Sequence, residues 1–175
     1  NRHNVGFLVV DLLGQRMSAR FKAHKARAEI VEGRLAGQRV VLAKPRTYMN
    51  ESGGPVAGLV DFFKVPLDRL VVVHDELDLP YGGLRLKLGG GDNGHNGLKS
   101  IIGLLGTDEF ARLRVGVGRG DARRNLSDHV LSTFDPAERE EVIAAVGRAA
   151  DAADLFVAGG MPEVMNRFNR KEDGD

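Results

Sequence analysis

Leu70-Val71-Val72-Val73 is a short apolar, β-branched run that leads straight into His74-Asp75-Glu76-Leu77-Asp78. A run of this kind reads as a strand buried on both faces of a sheet, which requires layers above and below it. Alternation elsewhere supplies neighbours for that strand. Leu84, Leu86 and Leu88 alternate with Arg85 and Lys87, and Leu113, Val115 and Val117 alternate with Arg112 and Arg114. Each pattern predicts a strand with one core face and one basic face. Ala28 to Val31 and Arg39 to Leu42 predict two more strands, joined as a hairpin through Gly33 to Gly37.

Helical spacing fills the intervals. Over residues 5–18, Leu8 with Leu12 and Val9 with Leu13 stand four apart. Ser52 is the expected cap of a helix carrying Val56, Val60 and Phe63 on one face, ended by Pro66. Leu98, Ile101, Ile102 and Leu105 predict a third helix. Asp135-Pro136-Ala137-Glu138 has the form of a capping box with Pro at the first helical position. Behind it Val142, Val146, Ala149, Ala153 and Phe156 recur at helical spacing as far as Gly159-Gly160, before a short segment from Pro162 to Phe168 and a solvated tail. With no internal repeat and no linker, the expectation is one α/β domain, a twisted mixed β-sheet flanked by helices.

Composition removes whole classes of function. The 175 residues suit one domain with a real core. The absence of cysteine excludes disulfides, thiolate catalysis and cysteine-based zinc sites. No apolar run approaches the ~20 residues of a membrane span, and nothing resembles a signal peptide, so a cytoplasmic location is expected. The formal net charge of +1 does not announce a nucleic-acid partner. Arginines 112, 114, 119, 123 and 124 nevertheless stand against a single acid, Asp121. A solvated surface strip explains that run as well as an RNA-facing surface does.

Polar chemistry gathers in four stretches: Arg2-His3-Asn4, Tyr48 to Gly53, His74 to Asp78, and Gly89 to Gly97. The end of a buried strand is where open α/β sheets bind ligands, and a carboxylate there can hold a histidine in one tautomer. A strand-end turn with solvated acids is the plainer account of Asp75, Glu76 and Asp78. A hard-cation site is disfavoured because three acids within four residues do not readily converge on one ion. The glycine-rich stretch fails as a P-loop, since Leu98 separates Gly97 from Lys99. It suits either a plain turn or a mobile loop that ends in a helix N-terminus and aims His95 and Asn96 at a ligand. No Ser occupies a Gly-x-Ser-x-Gly elbow, so the nucleophile expected is water activated by a histidine. Among the five histidines, His24 and His129 read as surface residues.

Taken together, Arg2-His3-Asn4-x-Gly6, Pro45-x-x-Tyr48-Met49-Asn50-x-Ser52-Gly53, His74-Asp75-Glu76-Leu77-Asp78, Gly89-Gly90-Gly91-x-x-Gly94-His95-Asn96-Gly97-Leu98 and Arg112-Leu113-Arg114-Val115-Gly116-Val117-Gly118 resemble the bacterial peptidyl-tRNA hydrolase family, in order and spacing, from residue 1 to about 168. The resemblance implies a metal-free, cofactor-free, monomeric enzyme that hydrolyses the ester between a peptide and the 3′ end of tRNA. It implies that His3 is the general base and Asp75 its orienting carboxylate. Asn50 and Asn96 would hold the substrate and the tetrahedral oxyanion, Tyr48 and Met49 would line the cleft, and His95 would belong to a gating loop. Lys87 and Arg114 would clamp the tRNA 5′ phosphate. Ala122 stands where the family carries a further basic residue, leaving Arg123 or Arg124 to substitute. The family also opens with a hydrophobic strand and a Gly-Asn-Pro-Gly turn ahead of the Arg-His-Asn motif, so a core strand is expected before Asn1. Two other readings remain. A non-catalytic RNA-binding protein on the same fold is disfavoured by the joint presence of His3, Asp75, Asn50 and Asn96. A generic esterase is disfavoured by the lack of a nucleophilic Ser.

Overall fold

The computed structural model describes residues 5–80, 82–116 and 136–169. The described strands fall into two three-stranded sheets. In the first, β1 (Lys22–His24), β2 (Ala28–Leu35) and β3 (Gln38–Pro45) form an antiparallel meander. In the second, β4 (Val71–Glu76), β5 (Leu84–Leu88) and β6 (Ala111–Gly116) lie in the order β4-β6-β5. Strand β6 runs parallel to β4 and antiparallel to β5, giving the mixed sheet the pattern predicts. The helices are α1 (Val5–Arg16), α2 (Gly53–Phe63), α3 (Asn96–Leu105), α4 (Pro136–Gly159) and the short α5 (Met161–Val164), which runs into a π turn over Met165–Asn169. None of the described helices is long and apolar enough to cross a membrane. Asp135 lies outside the described residues, as do Val117 and the tail from 171 to 175.

Two local expectations are corrected. The β2–β3 strands run on through Gly33 to Leu35, and the turn is Ala36-Gly37, with φ of 50° and 77° and Leu35 paired with Gln38. Two positive φ values match the right-handed twist of the flanking strands, so the tight two-residue turn replaces the longer one. Ser52 is itself helical, at φ −62° and ψ −23°, and its hydroxyl donates to the Met49 carbonyl at 2.8 Å instead of capping α2. The unpaired N–H of Gly53 finds its acceptor across the fold, at Ser100 Oγ of α3, 2.8 Å away. Helix α2 ends at Lys64 in the left-handed region, two residues before Pro66, as expected.

The second sheet is covered differently on its two faces. Helices α1 and α4 close one face, where Val9, Leu13, Leu84, Leu86, Leu113 and Val146 join a single buried cluster. In α1 the Val9 and Leu13 pair is buried together with Val5, while Leu8 is 38% exposed. Helix α1 sits so close to β4 that a Cβ on Gly6 would strike the Val73 carbonyl. The other face meets α3, through Leu98, Ile101 and Phe110 packed with Leu70 and Val72. That apolar contact covers only part of the face, and the remainder carries the polar residues described next.

Candidate active site

Strand β4 reverses the burial that its composition suggests. Val71, Val72 and Val73 are half-buried, whereas His74, Asp75 and Glu76 are 5%, 4% and 5% exposed. The strand continues through all three polar residues, so the reading of a solvated turn is overturned. Buried charge survives only where it finds partners, and each of these residues has them.

Asp75 Oδ1 lies 2.9 Å from His95 Nε2, with side-chain exposures of 5% and 10%. His95 occupies the N-cap of α3 in an extended conformation, and its Nδ1 accepts the Leu98 N–H at 3.1 Å. An acceptor at Nδ1 leaves the proton of the neutral ring on Nε2, which therefore donates to Asp75. The His74 tautomer is fixed in the same way. Its Nδ1 is 2.7 Å from the Asp75 carbonyl oxygen, which can only accept, so Nδ1 carries the proton and Nε2 a lone pair. Among the described residues that buried Nε2 has no hydrogen-bond partner. Burial, followed by the neighbouring His95, lowers the His74 pKa from 6.5 to about 4, keeping the ring neutral near pH 7. The two imidazoles meet edge to face, 4.9 Å between centroids.

Consecutive strand residues point to opposite faces, so Glu76 shares the side of His74. Strand register sets His74 beside Arg114, Arg114 beside Arg85, and Arg112 beside Lys87. A cleft of about 140 Å³ opens here, lined by His74, Glu76, Lys87, Asn93, Arg112 and Arg114 among others. Three basic side chains face one carboxylate, so the cleft favours anions. Glu76 Oε1 accepts from Arg114 Nη1 at 3.0 Å and from Asn93 Nδ2 at 2.7 Å. Arg112 is 2% exposed. Its guanidinium donates to the carbonyls of Gly91 and Asp108, both at 2.7 Å, and lies 4.7 Å from the Phe110 ring centre. Burial lowers its pKa and Asp108 opposes the shift. Arg112 is thus an internal strut of the glycine-rich loop, which corrects the expectation that it points from a basic outer face.

The structure brings several of the predicted site residues together at the end of β4. Tyr48, 82% exposed, precedes a 3-10 turn over Met49–Glu51 that packs on α3. A Cβ on Gly97 would come within 2.6 Å of the Met49 sulfur, so this turn and the start of α3 are in contact beside His95. Asn50 and Asn96 are exposed there. Lys87 is exposed, with its Nζ against Gly90. Arg114 is half-buried. His3, Arg119, Arg123, Arg124 and His129 lie outside the described residues. Sequence reasoning missed the structural parts played by Glu76, Asn93, Arg112 and Ser100, because each depends on a partner distant along the chain. Arg112 and Arg114, two apart on one strand, carried the available signal: they share a face.

A family model described as peptidyl-tRNA hydrolase matches residues 1–174. A peptidyl-tRNA hydrolase of Frankia casuarinae is 52% identical over 169 residues, covering 97% of this chain and 86% of the relative. One from Streptomyces coelicolor is 55% identical over 175 residues, covering 97% and 87%. The crystal structure of peptidyl-tRNA hydrolase from Acinetobacter baumannii superposes with a TM-score of 0.89 at 36% identity, over 96% of this chain and 86% of that one.

Proposed function

The chain belongs to the peptidyl-tRNA hydrolase family and hydrolyses peptidyl-tRNA, and from that premise we propose that His3 and Asp75 carry the reaction. The observation that supports this most is the commitment of His95. With Nδ1 accepting from Leu98 and Nε2–H donating to Asp75, His95 has no lone pair with which to take a proton from water. The base must come from elsewhere. His3 precedes Gly6 by three residues, and Gly6 is packed against Val73 and His74, next to Asp75 in the chain. A carboxylate accepts at both oxygens, so Asp75 can serve His95 and a second imidazole.

In this reading His3 removes a proton from water as it attacks the ester carbonyl. The negative charge that develops on the carbonyl oxygen is met by the exposed amides of Asn50 and Asn96. Collapse expels the 3′ oxygen of the terminal ribose, which takes the proton, leaving a peptide carboxylate and free tRNA. A positioned base supplies roughly 10²–10⁴-fold and each oxyanion donor on the order of 10²–10³. Tyr48 and Met49 line the cleft near the 3′ end, and Lys87 with Arg114 receives the tRNA 5′ phosphate. The enzyme acts as a cytoplasmic monomer.

His3→Ala should lower kcat by about 10²-fold or more while tRNA binding persists. Asp75→Asn should lower kcat more than it raises KM. Near-normal kcat in His3→Ala, with turnover lost in His95→Ala, would transfer the base to His95 and overturn the assignment.

A further inference from the structure

We infer that Asn93 is a positioning residue that ties closure of the glycine-rich loop to occupation of the phosphate site at Arg114, with Glu76 as the link. This rests on the reading of Lys87 and Arg114 as that phosphate site. Asn93 belongs to the loop between β5 and α3 and holds φ at 51°. Glycine adopts that conformation without penalty, so what asparagine adds there is its amide. That amide donates to Glu76 Oε1 at 2.7 Å and to Asp78 Oδ2 at 2.9 Å, fastening the loop to β4 and the residues that follow it. The same Glu76 oxygen is held by Arg114 at 3.0 Å, and Glu76 is buried.

Two donors on one oxygen divide its charge between them. An anion seated at Arg114 draws the guanidinium toward itself, and the charge of Glu76 then falls more fully on Asn93. The fastening tightens as the phosphate docks. Linkage makes the effect reciprocal: with Asn93 in place, Glu76 holds Arg114 less firmly and the anion competes better. The other clamp cation abuts the same loop, since a Cβ on Gly90 would stand 2.9 Å from Lys87 Nζ. Loop and phosphate site therefore share a wall. A substrate whose 5′ phosphate is correctly placed closes the loop that carries His95 and leads to Asn96.

The test uses an RNA acceptor-stem duplex with a 5′ phosphate or a 5′ hydroxyl, and amide exchange across Gly89 to Gly97. In the wild type the phosphorylated duplex should bind more tightly and slow loop exchange by about fivefold or more relative to the hydroxyl form. Asn93→Gly keeps the backbone conformation accessible and removes the amide. It should retain a binding preference for the phosphate and lose the extra loop protection. Asn93→Asp, which places a third carboxylate beside Glu76 and Asp78, should leave the loop still more open. In turnover of peptidyl-tRNA, the 5′ phosphate should raise kcat in the wild type but not in Asn93→Gly, while its effect on KM survives. Equal loop protection in wild type and Asn93→Gly, with the phosphate preference intact, overturns the coupling alone. A wild type indifferent to the 5′ phosphate overturns the phosphate site and the inference with it.

Discussion

The two faces of the β4-β6-β5 sheet are built on opposite principles. On one, Leu84, Leu86, Leu113 and Val115 are at most 2% exposed and pack under α1 and α4. Their attraction is non-directional, so any set of apolar side chains of similar volume would serve. On the other, Arg112 is as deeply buried as those leucines, yet it is held by two carbonyls at fixed positions. His74 beside it is oriented by one specific acceptor and Glu76 by two specific donors. The apolar face holds the sheet in the fold, and the polar face holds a loop in register with the sheet. Stability and positioning are thus separated across one layer of backbone, and substitutions on the two faces should differ in kind.

The largest effect is expected on the apolar face. Leu113→Ala should destabilise the fold by roughly 2–5 kcal/mol through lost burial and a residual cavity, measured by denaturant unfolding. Exchange of the glycine-rich loop relative to the global limit should hardly change. A loss below about 1 kcal/mol would mean that the face is not the tightly packed core described.

On the polar face His74 should make stability depend on pH. Its imidazole stays neutral in the native state down to about 4, whereas the unfolded chain protonates near 6.5. Between those values the unfolded state binds more protons, so stability is complete above pH 6.5 and declines as pH falls toward 4. The full contribution approaches about 3 kcal/mol. His74→Asn, which can still donate to the Asp75 carbonyl, should flatten the curve across that window. An unchanged slope would show that other groups cause it.

The smallest global effect is expected at Arg112. Arg112→Met exchanges a buried cation for an apolar chain of similar length, relieving desolvation while leaving two carbonyls without their donor. These terms nearly cancel, so global stability should shift by less than about 1 kcal/mol. The Gly89 to Gly97 amides should nevertheless exchange faster. A global loss as large as that of Leu113→Ala would erase the distinction between the faces.

Much of this protein is determined by short-range pattern and is legible without coordinates. Alternation at Leu84 and Leu86 and at Leu113 and Val115 identifies the strands of the second sheet, and the helical spacing of Val9 and Leu13, or of Val142, Val146 and Ala149, identifies the helices that cover it. The ordered motifs identify the family, because several polar stretches at fixed separations seldom coincide by accident. Tertiary structure decided the rest. It selected the Ala36-Gly37 turn, replaced the expected Ser52 cap with Ser100, and buried His74-Asp75-Glu76 more deeply than the valines before them. It gave Asp75 to His95 and Glu76 to Arg114 and Asn93. Periodicity records which side of an element faces the core, since burial of apolar surface depends on local composition. A buried polar group depends instead on one partner at hydrogen-bond distance, and here those partners stand 20 residues along the chain for Asp75 and 38 and 17 for Glu76. Only the closed fold brings them within about 3 Å, the range at which the directional interaction exists.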